Sequence, residues 1–152
     1  MAKRQKDDLI NVFDVADYIL EETEFKMTHM KLHKLIYYAH VRHLVKHKEI
    51  LTDAEIQDWA HGPVFPELYP IFEDFTFEAI KQKTKKGDFT KIKGKVKNSI
   101  DYIIEKYGHW DGQRLTNKTH FEQPWREAID KGLNFSISDE AMKKYYVRKN
   151  KL

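Results

Sequence analysis

Five histidines on one stretch, His29, His33, His40, His43 and His47, are the first residues whose spacing suggests chemistry. Laid out at about 100° per residue, all five project within about 40° of one line on a helix. Separations of three and four let two imidazoles reach one metal ion, but a zinc site needs three or four ligands. The stripe carries no carboxylate, and Lys31, Lys34, Lys46 and Lys48 on the same stretch oppose a cation. The expectation is a solvated or half-buried histidine face whose charge changes near pH 6, with no metal held. Nucleophilic chemistry finds no better support. The chain has no GxSxG, SxxK or HExxH, and no GxxxxGK[ST] or GxGxxG loop. His61 and His120 would make an acid–base pair only if the fold joined them. No catalytic residue and no cofactor is expected, and the chain reads as a binder, not an enzyme.

Two clusters rich in aromatics and proline suit binding better. The first runs from Trp59 through His61, Gly62, Pro63, Val64, Phe65, Pro66 and Glu67 to Tyr69. The second runs from Thr119 through His120, Phe121, Glu122, Gln123 and Pro124 to Trp125. A Gly-Pro turn flanked by large rings makes a rigid, shaped loop, and Trp and Tyr anchor interfaces. The same rings also pack cores and corners, and both uses are open at this point.

Charge is segregated along the chain. Glu49, Asp53, Glu55, Asp58, Glu67, Glu73, Asp74 and Glu78 occupy a stretch without Lys or Arg. Lys81, Lys83, Lys85, Lys86, Lys91, Lys93, Lys95 and Lys97 follow, with Asp88 alone against them. Opposite blocks attract each other within one fold, each exposed pair contributing about 0–1 kcal/mol. Alternatively one block faces a partner and speeds docking. Phosphates of a nucleic acid suit a lysine loop, but this one lacks Arg and offers only Phe89 for stacking.

These residues must be positioned by a chain of 152 residues with 41% apolar and 34% charged content, a net charge of +3 and no cysteine. That composition excludes disorder, disulfides and thiolate metal sites. No run reaches the roughly 18 apolar residues of a membrane span. The basic N-terminus is not followed by an apolar signal region, so a cytoplasmic location is expected.

The elements read as mostly α, about seven helices in a single domain over 1–152, with 1–8 and 150–152 frayed. Asn11 caps a helix ending before Thr23, and Thr28 caps a longer one to Lys48, apolar on most sides and therefore central. Thr52 and Glu55 form a capping box for a short helix through Ile56 and Trp59, stopped at Gly62-Pro63. Pro66 starts a helix from Glu67 to about Phe75. Strands around Ala79–Lys83 and Phe89–Lys93 would make one small hairpin. Val96, Ile100, Ile103, Ile104 and Tyr107 give a clear helical stripe. Asp111 caps a helix across Leu115, Pro124 opens another that ends before Gly132, and Ser138 caps a last one to about Lys149.

Four stretches in order resemble the Panacea-domain family, the group that includes GepA-like phage-associated proteins and the SocA antitoxin. They are Val15–Leu20; Lys31–Ala39, KLHKLIYYA, against the family's KLQKLLYYA; Ile56–Tyr69, IQDWAHGPVFPELY, against IEAWKYGPVVPELY; and Leu115 with Thr119–Trp125 against a late L…TH…PW signature. His33 stands where Gln is usual and His61 where Tyr is common, so the histidine stripe is not a family feature. The lysine segment falls in the family's variable middle. The resemblance implies an antitoxin that binds a protein toxin encoded beside it. It implies, alternatively, an adaptor delivering that toxin to a protease, and the lysine segment leaves a nucleic-acid accessory role as a further alternative. The expected contact residues are Trp59, His61, Gly62, Pro63, Val64, Phe65, Glu67, Tyr69, Thr119, His120 and Trp125. Trp59, Val64, Phe65 and Trp125 would serve as apolar anchors if exposed, with Lys34, Tyr37 and Tyr38 bracing the loops from behind.

Overall fold

The structure is a computed structural model that describes residues 10–148. The expected fraying at 1–8 and 150–152 lies outside the described residues, and the last helix, expected to run to about Lys149, ends at Tyr146. Seven helices are present among the described residues: α1 Val12–Glu22, α2 His29–His47, α3 Tyr69–Phe72, α4 Gly94–Tyr107, α5 Gly112–Phe121, α6 Gln123–Lys131 and α7 Asp139–Tyr146. The caps expected at Asn11, Thr28, Asp111 and Ser138 form. Asn11 accepts from Phe13 N–H at 2.8 Å, Asp111 from Arg114 N–H at 2.7 Å and Ser138 from Ala141 N–H at 3.0 Å. Each satisfies a donor that a helix start would leave orphaned.

The long helix α2 is central, as its all-round apolar pattern implies. Every residue from Lys31 to Val41 is buried, and α1, α4, α5 and α7 pack around it. Leu32, Leu35, Ile36, Tyr37, Tyr38 and Ala39 of α2 lie in one contiguous core with Ile19, Leu20, Ile100, Ile103, Leu115, Met142 and Tyr146. No helix among the described residues is long and apolar enough to cross a membrane.

Three local expectations give way to longer-range bonding. The Thr52 capping box starts no helix. Residues 52–56 form no regular element, and strand β1 Gln57–Trp59 pairs antiparallel with β2 Gly62–Val64. The same stretch bonds on its other side to residues 134–137, through Asp58 N–H to Phe135 O at 2.9 Å, Asn134 N–H to Asp58 O at 2.9 Å and Ile137 N–H to Ile56 O at 2.8 Å. Glu55 binds the Ser136 hydroxyl instead of a helix start.

The one hairpin among the described residues therefore sits at 57–64 and not near 79–93. In the latter segment two backbone donors go to carboxylates of α1. Thr84 N–H and hydroxyl donate to Asp17 at 2.7 and 2.9 Å, and Asp88 N–H donates to Asp14 at 2.7 Å. Only glycine fits at Gly87, where a Cβ would lie 2.5 Å from the Phe13 carbonyl. The helix expected from Glu67 to Phe75 shrinks to α3 plus a 3₁₀ turn at Glu73–Phe75. Pro70 is the reason: deep in a helix begun at Glu67, its ring would meet the carbonyl four residues back, so it is tolerated only in the first turn.

A candidate partner-binding site around the hairpin

The hairpin turns at Ala60–His61 and closes on Gly62, whose φ is +111°. A side chain there is excluded twice, by the backbone angle and by space. A Cβ would lie 2.7 Å from Lys34 Cε and 2.9 Å from Thr119 Oγ1. The second aromatic cluster locks onto this turn. Trp125 Nε1–H donates to the Trp59 carbonyl at 3.0 Å, and Thr116 Oγ1 donates to the His61 carbonyl at 3.2 Å. His120 stacks on Trp125 with ring centroids 4.0 Å apart. Trp59 packs on Tyr69 at 4.7 Å, and its indole N–H donates to Gln57 at 3.0 Å. The two clusters, distant in sequence, thus form one structure.

Their exposures divide the expected contact set. His61 and Glu67 are exposed, and Trp59, Tyr69, His120 and Trp125 are half-buried. Gly62, Pro63, Val64, Phe65 and Thr119 are buried. Val64 and Phe65 are therefore core residues and offer no apolar anchor at the surface. Val64 ends β2 and Phe65 follows it, and alternation along an extended backbone would have hidden only one of the two. The helix behind the strand hides both.

The histidines are not a solvated face. His29, His33, His40 and His43 are buried, and three of them tie α2 to other elements. His33 Nδ1 accepts the Phe65 N–H at 3.1 Å, His40 Nε2 meets Asp139 at 2.9 Å, and His43 Nδ1 meets Ser99 Oγ at 2.8 Å. Burial lowers the pKa of His29 and His33, and the nearby Lys34 lowers both further. No group of three or more His, Asp or Glu among the described residues is placed to hold a metal ion.

Lys34 stands directly under the hairpin turn. It has no exposed surface, its Nζ has no hydrogen-bond partner, and desolvation lowers its pKa from 10.5 to about 7. Beside it, His120 has its pKa lowered by burial and then by Lys34, and its Nε2 is unpartnered.

Sequence reasoning missed a carboxylate hub. Glu122 is buried and accepts from Tyr38 OH, from Lys118 Nζ and, at 2.8 Å, from Tyr146 OH. Tyr37 OH lies 3.2 Å from Tyr146 OH. Burial first, and then the Glu122 charge, raise the Tyr38 pKa far above the ordinary phenol. The YYA and THFEQPW stretches are thus bonded to each other inside the molecule. Tyr38 braces the second cluster directly, and Tyr37 reaches it through Tyr146.

Sequence reasoning also missed the surface that the hairpin borders. A cleft of about 540 Å³ is lined by His29, Met30, Trp59, Ala60, His61, Tyr69, Glu73, Thr76, Phe77, Leu133 and Asn134. Phe77 is 95% exposed and Leu133 58%. The available signal was a large apolar residue on each side of a polar loop, at Phe77 among carboxylates and at Leu133 after Gly132. In comparisons with known proteins, the profile of the family described as antitoxin SocA-like, Panacea domain, matches residues 32–126, more than half of the chain. No curated protein and no solved structure gives a match.

Proposed function

From the premise that this chain belongs to the SocA-like antitoxin family with the Panacea domain, we propose that it neutralises a protein toxin by direct binding, through the face built around the hairpin. The observation that carries this reading is the cleft lined in part by Trp59 and Tyr69. It is braced from behind by α2 and α5 and rimmed by apolar side chains left in water. Exposed apolar rims of this kind mark interaction surfaces. Rings held by hydrogen bonds lose little entropy on binding, which favours affinity. The buried Lys34 and His33 and the half-buried His120 support the loops. In this reading the protein makes and breaks no bond itself, needs no cofactor and works in the cytoplasm.

The test is co-expression with the product of the neighbouring reading frame. Rescue of growth, together with co-purification of an intact toxin, supports direct neutralisation. Rescue accompanied by falling toxin abundance, reversed in a protease-deficient host, replaces it with the adaptor reading. Absence of both rescue and complex overturns it. Binding that survives in nuclease-treated extract separates a protein partner from nucleic acid held by the lysine segment.

A further inference from the structure

The surface beside the hairpin is a groove in two parts. The cleft of about 540 Å³ adjoins a second hollow of about 300 Å³, and both are bordered by Met30, His61, Thr76 and Phe77. Phe77 stands between them with its ring almost wholly in water. It sits at the tip of a tight turn, in which Glu78 N–H donates to the Phe75 carbonyl at 2.8 Å. The residue before it, Thr76, holds φ at +48°. That is an outlier for a β-branched residue, and such strain persists only where the surroundings enforce it.

Charge around this turn is of one sign. Glu73 lines the larger hollow, and Asp74 and Glu78 flank Phe77 in the chain. Glu67, Glu73, Asp74 and Glu78 are all exposed, and none makes an ion pair or a side-chain hydrogen bond within the described residues. Among the described residues, the expected attraction between the acidic and basic blocks is seen in the pair Lys95–Glu49 at 2.5 Å. Lys83 turns to Glu21 and Lys97 to Asp101. Among the described residues, no Lys or Arg lines either hollow. In sequence Lys31 follows Met30 and Arg114 follows Gln113, but Lys31 Nζ donates to the Gly108 carbonyl and the Arg114 guanidinium lies over the Trp110 ring.

We propose that this groove receives a basic amphipathic segment of the toxin, with apolar side chains seated in the two hollows on either side of Phe77 and Lys or Arg side chains meeting Glu73, Asp74 and Glu78. The inference rests on the toxin-binding reading above and adds the chemistry of the bound segment. Two adjoining hollows divided by a protruding ring suit a stretch of polypeptide. A compact small molecule would be enclosed by convergent polar groups instead. The unpaired carboxylates supply steering and exclude acidic competitors.

The experiment measures the affinity of the purified chain for its co-expressed toxin at low and high salt. It compares wild type with Phe77→Ala, with Glu73→Lys/Glu78→Lys, and with Lys85→Glu/Lys91→Glu as a control on the basic segment. All these side chains are exposed or solvated, and circular dichroism checks the fold. The expected result is at least about a tenfold loss for each groove variant, association that slows with salt in the wild type, and an unaffected control. A photo-crosslinker at position 77 should capture a toxin peptide containing Lys or Arg beside apolar residues. Unchanged affinity of the groove variants, loss in the control alone, or a captured peptide without basic residues overturns the inference while leaving toxin binding intact. Absence of any complex with the wild-type chain overturns both.

Discussion

Lys34 lies on α2 with its amine sealed from water and unpartnered, and this position sets a pH dependence for the whole chain. Burial lowers its pKa from 10.5 to about 7, so the unfolded chain holds the extra proton between those values. Stability therefore climbs as pH rises through that window and is lowest below pH 7. At about 1.4 kcal/mol per unit, the burden below pH 7 is several kcal/mol. Lys34→Met keeps the stem and removes the charge. It is expected to be more stable by at least about 1–2 kcal/mol at pH 7 and to flatten the rise between pH 7 and 9.5 in urea melts. An equally steep rise in the variant would show that the window belongs to another group. Above pH 10 the buried tyrosines act oppositely, since their raised pKa values resist ionisation only while folded. Gly62→Ala tests the contact from the other side. It forces a Cβ against Lys34 at an unfavourable φ, and is expected to cost about 1–3 kcal/mol. Lys34→Ala in the same chain should recover part of that loss by opening space.

At the level of elements, short polar bonds hold irregular segments onto helices. Strand β2 hangs on His33, whose Nδ1 takes the Phe65 N–H. His33→Leu leaves that buried donor unsatisfied and is expected to cost about 1–3 kcal/mol. His33→Gln, the residue usual in the resembling family, brings a carbonyl acceptor and should cost far less. Thermal melts of the two variants separate a bonding role from mere volume. The basic segment hangs similarly on α1 through Asp14 and Asp17. Asp17→Ala should speed amide exchange across residues 81–93 while α4 and α5 keep their protection. Uniform deprotection would mean that the segment is part of the global folding unit.

For the whole molecule, the expected contact set splits into residues that hold shape and residues that face outward. Trp59→Ala and Tyr69→Ala should weaken rescue partly through lost stability, because both rings pack against each other and Tyr69 also packs on His29 and His33. Glu67 is exposed and unpaired. Glu67→Lys should therefore abolish or sharply reduce rescue with unchanged helical content, read by co-expression and circular dichroism together. If Glu67→Lys unfolds the chain, the face around the hairpin is structural and the contact lies elsewhere.

The sequence by itself determined the helices. Their periodicity, caps and terminators act within a turn or two, and α1, α2 and α4–α7 form where those signals stand. The family signatures were also legible, because they are strings of neighbouring residues. Tertiary structure alone decided what depends on partners far along the chain. Thr52–Glu55 gave up its capping box because Ile56 and Asp58 bond to residues 134–137. Residues 84 and 88 formed no hairpin because α1 carboxylates took their donors. Val64 and Phe65 went inside, the histidines became ties between elements, and Phe77 and Leu133 came to border one cleft. Local signals bias each segment by roughly 1 kcal/mol or less per residue. Burial and bonding across the fold outweigh that bias wherever a distant group reaches the backbone first.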